Sequence, residues 1–254
     1  MKGFRLLIAV VIVLLAVTVS SYSQKQGSGL QLPGVSVNVD MEGNKDLVLT
    51  LQILAVMTVL TLAPSILVMM TSFTRIIIVF HFLRQALGTT TQPPNQVLTG
   101  LALFLTFFVM QPVLNDANNK GIQPYMKEEI TQEQAVENII QPFRNFMLKN
   151  TREEDLGLFI KLSGKDKPKD MSEVTIWQII PAYSISELRI AFQIGFMLFI
   201  PFLVLDMIIA STLMSLGMFL LPPQLISLPI KLLLFIIVDG WYLVIDSLMK
   251  SIIN

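Results

Sequence analysis

The charges of this chain are segregated, and their placement limits the fold more than any other feature. Residues 47–70 and 97–114 carry no Asp, Glu, Lys or Arg, whereas residues 115–187 hold 21 of the 36 charged side chains, nine basic and twelve acidic. Uncharged apolar runs of that length belong in a bilayer or in the interior of an assembly. A soluble domain is about one quarter charged; these 254 residues are 14% charged and 53% hydrophobic. The pattern predicts an all-α integral membrane-type protein in which two hairpins of apolar, kinked helices flank a small polar α-helical domain.

The N-terminus places Lys2 and Arg5 before a 14-residue apolar run, 6–19, and then Ser20, Ser21, Tyr22 and Ser23. Basic flank, short apolar core and small residues make a secretory signal peptide over 1–23, cleaved after Ser21 or Ser23. An uncleaved first span is the alternative. Residues 24–46, with Gly27, Gly29, Pro33, Gly34 and Gly43, read as a flexible linker. The first apolar hairpin then covers 47–114, an extracytoplasmic polar domain 115–187, and a second apolar hairpin 188–254. Apolar character after residue 47 continues past Pro64 as far as Phe80, too far for one straight crossing, so a kink or a tilted arm is required. With the mature N-terminus outside, the loop 71–96, which holds Arg75 and Arg84 and no acid, falls inside and satisfies the positive-inside rule.

Both hairpins turn through the same pattern. Leu87-Gly88 precedes Pro93-Pro94 by the spacing at which Leu216-Gly217 precedes Pro222-Pro223. Glycine suits the end of one helix and the proline pair the start of the next, with Asn95 and Gln96 opening the first return helix. In the polar domain, Thr131 followed by Gln134 is a capping box, opening a stripe of Val136, Ile139, Ile140, Phe143 and Met147 with Pro142 as a kink. Ser184 followed by Glu187 reads as a second capping box, opening the third apolar helix.

Ionisable side chains inside apolar segments are the informative ones, because a charge facing lipid costs about 2.5–3.5 kcal/mol. On a single helix over 225–249, Lys231, Asp239, Tyr242 and Asp246 fall within an arc of about 80°. Asp206 adds a carboxylate five residues after Pro201. Lys231 therefore pairs with Asp206, with Asp239 or with an acid of a neighbouring subunit; an ion or proton path is the other reading of the stripe. The turn Gly217-Met218-Phe219-Leu220-Leu221 has no polar side chain, although connections normally run over wet surface. With Met214 one turn earlier, it is expected either to meet its own copies at a common axis as a hydrophobic constriction or to pack in the core of its own subunit. There is no cysteine, His81 is the single histidine, and no phosphate loop, nucleophile elbow or His-Glu-x-x-His pair occurs. No catalytic residue, metal or cofactor is expected, and with 18 charges of each sign no nucleic-acid partner either.

The runs 71–79, 83–88 (Leu83-Arg84-Gln85-Ala86-Leu87-Gly88) and 93–106 (Pro93-Pro94-Asn95-Gln96-Val97-Leu98-Thr99-Gly100 onward) resemble the flagellar biosynthetic protein FliP family. So do Ser186-Glu187-Leu188, Ile194-Gly195-Phe196, Pro201-Phe202-Leu203, Leu228-Pro229 and Val238-Asp239-Gly240-Trp241. The resemblance implies a homo-oligomeric core subunit of the type III export gate in the bacterial cytoplasmic membrane, at the flagellar basal body. It also implies FliQ, FliR, FlhB and FlhA as partners, with membrane lipid, and unfolded flagellar proteins as cargo. Family members often carry a run of methionines in the second turn; here Met218 stands with Phe219 and Leu220, implying a stiffer seal. The equivalent subunit of a virulence-type secretion system and a small-solute transporter are the other readings.

Overall fold

The structure, a computed structural model, describes residues 31–32, 35–36, 44–89, 91–164, 170–218 and 220–253. The expected signal peptide and most of the expected linker lie outside the described residues. The chain divides into two compact units, Met1–Thr58 and Val59–Asn254. In the first, β1 (Gln31–Leu32) pairs antiparallel with β2 (Val35–Ser36), Gln31 opposite Ser36, and the long helix α1 (Asn44–Met69) begins.

In the second unit α1 ends at Met69 and α2 (Phe73–Ala86) starts after a three-residue break. The break falls beyond Pro64, which lies inside α1. Its chemistry is local: Thr71 and Thr74 both donate their hydroxyls to the Val68 carbonyl, at 3.4 and 3.3 Å, occupying an acceptor freed at the helix end. Residues 73–86 are thus a helix and not part of an inner loop. Moreover, Arg75 is buried in it at 1% exposure, so the positive-inside count loses one of its two charges.

Helix α2 is the centre of the unit. Ile76, Val79, Phe80, Leu83 and Ala86 recur at helical spacing and are all buried. It packs most extensively on α7 (Ile176–Ser215). A Cβ on Gly195 would stand 2.5 Å from the Phe82 ring, so the glycine lets the two helices close. The first hairpin is completed by α3 (Asn95–Ala117), which continues through a π-turn (Asn118–Ile122) into α4 (Gln123–Met126). Then come α5 (Gln132–Asn150), α6 (Glu153–Leu162) and a 3₁₀ turn (Met171–Glu173). The Thr131 to Gln134 capping box opens α5, which runs through Pro142 as one helix. Along its expected apolar stripe Met147 is buried, whereas Val136 is 49% exposed and Ala135 takes the buried place beside it.

Two sequence expectations about helix limits need correction. The helix α7 begins at Ile176, not at Ser184: Gln178 accepts the Thr175 amide at 2.9 Å, and the Ser184 hydroxyl is turned back onto the Ile180 carbonyl within the helix. A Ser-x-x-Glu spacing marks a start only where the preceding residues are not helical, and here Ile179, Ala182 and Tyr183 already pack in a core with Met147, Leu156 and Val174. The helices of the polar stretch therefore share that core with the first turns of α7. Secondly, 225–249 is not one helix. α8 (Pro223–Ile237) and α9 (Gly240–Ile253) meet at a 66° bend, with Asp239 at φ +51°, so Lys231 stands on a different helix from Tyr242 and Asp246. The 80° arc assumed an unbroken helix and does not exist.

Among the described residues two stretches, Asn95–Met126 and Ile176–Ser215, are long and apolar enough to cross a membrane, and the bent pair α8 and α9 makes a third where it is taken as one broken span.

Candidate functional site: buried ion pairs and an apolar turn

Two ionic pins fasten α2 at its ends. At the first, the Arg75 guanidinium grips Glu187 of α7 with two parallel bonds, Nε to Oε2 at 2.9 Å and Nη2 to Oε1. Both side chains are 1% exposed. The third nitrogen, Nη1, donates to the Ser251 carbonyl at 2.6 Å and to its hydroxyl at 3.3 Å. Ser251 lies in the last turn of α9, whose carbonyls have no intrahelical donor and whose dipole favours cations. Lys149 of α5 donates to the neighbouring Ile253 carbonyl at 2.7 Å. Beside this knot, Ser186 donates to Asp155 at 2.7 Å and accepts the Arg152 amide at 3.1 Å, tying the start of α6 to α7. A buried charge pair of this kind fixes geometry rather than adding stability over an apolar substitute, but removing one partner strands the other at about 3–5 kcal/mol.

At the second pin, Lys231 of α8 donates to Asp206 of α7 at 2.6 Å and to the Ala86 carbonyl, at the end of α2, at 3.2 Å. The lysine side chain is 6% exposed and the aspartate 39%. One aspartate oxygen, Oδ1, is buried without a donor among the described residues. Of the partners open to Lys231, Asp206 is the one within reach. Asp246 instead holds Lys250 one turn on, at 2.7 Å, Tyr242 is 64% exposed, and Asp239 lies exposed at the bend.

The sequence reading did not single out Glu187, Ser251, Lys149, Ser186 or Asp155 for this role. One signal was available: an arginine in an apolar run with no acid on its own helix demands a distant carboxylate.

The hairpin turns are built alike. Gly88 (φ +78°) and Gly217 (φ +74°) cap α2 and α7 in the left-handed region, donating to Gln85 O and Met214 O at 3.0 Å each. Pro94 and Pro222 are the N-caps of α3 and α8, with Pro223 first in α8, and Gln96 is exposed in the first turn of α3. In the first turn Arg84 reaches the Pro93 carbonyl and the Asn95 side chain. Among its described residues the second turn has no such polar brace. Its side chains point away from the subunit: Met214 is 61% exposed, Leu216 69%, Met218 40% and Leu220 98%. Phe219 lies outside the described residues. His81, on the outer face of α2, contacts the Ile77 carbonyl through Nδ1 at 2.8 Å. Among the described residues no cluster of His, Asp and Glu could hold a metal ion.

Comparison with known proteins adds a consistent finding. Residues 56–248 match the model of the FliP family. The chain is 50% identical over 202 residues to a flagellar biosynthetic protein FliP of Bacillus subtilis (strain 168), covering 80% of this chain and 91% of that one. A protein of the same name from Pectobacterium carotovorum subsp. carotovorum is 51% identical over 221 residues, 87% of this chain and 86% of its own. One from Aquifex aeolicus (strain VF5) is 46% identical over 223 residues, 87% and 92%.

Proposed function

Because the chain belongs to the FliP family, a component of the flagellar export apparatus, we propose that it forms part of the channel of the export gate, copies of it assembling with FliQ and FliR. Unfolded flagellar proteins pass through that channel across the bacterial cytoplasmic membrane, at the flagellar basal body, with FlhA and FlhB as neighbours in the apparatus. Its part is structural and not catalytic.

The observation that carries this reading is the exposed apolar turn between α7 and α8. A connecting segment with no polar side chain and with Leu220 at 98% exposure is poorly suited to water, and its own subunit does not cover it. In a ring of copies such turns converge on the axis, where a hydrophobic constriction blocks ions by dewetting while leaving no fixed bonds to cargo. Methionine adds adaptable contact, since its unbranched thioether refits irregular surfaces. The first turn, braced by Arg84 and Asn95, lacks this character.

The test is ion conductance. Replacing Met218, Phe219 and Leu220 by glycine and alanine is expected to raise ion leak in cells expressing the complex, with assembly unchanged. Background conductance in a normally formed complex would remove the turn from the gate.

A further inference from the structure

In α2, α3, α7, α8 and α9 nearly every charged side chain is bonded within the chain: Arg75 to Glu187, Arg84 to Asn95, Asp116 to Lys120, Lys231 to Asp206, Asp246 to Lys250. A cation on α7 and an anion at the bend between α8 and α9 are left over. They are Arg189 and Asp239, both exposed, and neither makes a side-chain hydrogen bond or ion pair among the described residues.

Their surroundings make this costly. Arg189 emerges from a stripe of α7 that also presents Ile185, Phe196 and Met207, 40%, 67% and 62% exposed; at 100° per residue the four lie within about 40° of one another. Asp239 stands between Ile237, 71% exposed, and Tyr242, 64% exposed. A lone charge on such a face is unfavourable in lipid and in a protein interface alike unless it meets its opposite.

The two do not meet within one chain. Lys231 bonds Asp206, the Phe235 ring lies 6.4 Å from that of Phe202, and Arg75 joins Ser251 to Glu187, so α8 and α9 run back along α7. Asp239, four residues past Phe235, is therefore level with the region of residue 198, nine residues from Arg189 and about 13 Å away along the axis.

We infer that Arg189 of one copy pairs with Asp239 of a second copy, making these two unlike patches the two sides of one heterologous interface. A contact between different patches propagates from copy to copy, as a ring or a helix requires. The inference rests on the assembly proposed above and goes further by naming the surfaces.

The chain has no cysteine, so introduced thiols report without background. Two differently tagged copies, one R189C and one D239C, are expressed together with the partner subunits, oxidised in membranes and run without reductant. A disulfide-linked dimer carrying both tags is expected, well above the yield from two R189C or two D239C copies. In parallel, R189D and D239R are each expected to lower recovery of the complex about tenfold, and the two together to restore most of it, as charge reversal across one contact does. A complex of normal mass with no mixed dimer and no rescue overturns the inference and leaves the proposed assembly standing; Arg189 then reaches lipid headgroups. A disulfide within one chain overturns it as well. If the unaltered chain gives no complex of several copies, the proposed assembly itself fails, and the pairing with it.

Discussion

Arg75 and Lys231 are both buried cations, yet they are held differently, and the difference sets what each substitution costs. Arg75 fills its planar fork, with two nitrogens on Glu187 and the third on Ser251. Lysine at this position keeps the charge but presents a compact ammonium that cannot span three acceptors. Arg75→Lys is expected to lose on the order of 2 kcal/mol or more, read as a lower unfolding temperature of the detergent-purified protein. An unchanged transition would mean that the fork geometry contributes nothing. At the second pin the burial is lopsided, with Lys231 at 6% and Asp206 at 39%. Asp206→Ala strands a buried ammonium and should cost about 3–5 kcal/mol, whereas Lys231→Ala leaves a carboxylate able to turn outward and should cost less than half of that. Parallel melts of the two variants decide it, and equal losses would contradict the lopsided pin. That Lys231 needs a partner was legible in the sequence, from its apolar neighbours alone. The same signal surrounds Arg75, but it was masked, because that residue also fitted a cytoplasmic loop.

Helix punctuation was legible where it rests on backbone chemistry. Left-handed glycines followed by proline pairs are local signals, and both turns sit where Gly88 and Gly217 put them. Boundaries set by tertiary contacts were not legible. Ser184-Ile185-Ser186-Glu187 has the spacing of a helix start and lies inside α7, because upstream residues find a core. The bend at Val238 and Asp239 falls between two stretches that are each good helix, so no breaker marks it except Gly240. That glycine is tightly enclosed: a Cβ there would stand 2.2 Å from the Phe235 ring, whereas one on Gly217 meets nothing within 4 Å. Gly217→Ala should therefore cost only the left-handed backbone strain, about 1–2 kcal/mol. Gly240→Ala, at a backbone that is not left-handed, instead brings overpacking of about 1–3 kcal/mol, which Phe235→Leu should partly relieve. A double-mutant cycle on unfolding free energy measures that relief, and strict additivity would show that the ring is not what the glycine accommodates.

For the whole molecule the dominant fact is α7, with 40 residues and only 11% of its most apolar window buried. At 1.5 Å per residue it is about 60 Å long, twice the roughly 30 Å of a hydrocarbon core, so lipid alone does not cover it. Gentle detergent extraction should yield particles containing several copies of the 28.5 kDa chain, and a native mass spectrum showing only single copies would contradict the assembly. The knot at Arg75 has another consequence, which concerns the order in which the molecule is made. Its guanidinium leaves the ribosome 176 residues before the Ser251 carbonyl that completes its shell, roughly 9–35 s earlier at about 5–20 residues per second. Throughout that interval the emerging chain holds a cation with no finished place to go. The closure of α9 over it is a late event in biogenesis, and a nascent subunit stalled short of that helix presents its unfinished interior to the cell's quality-control proteases.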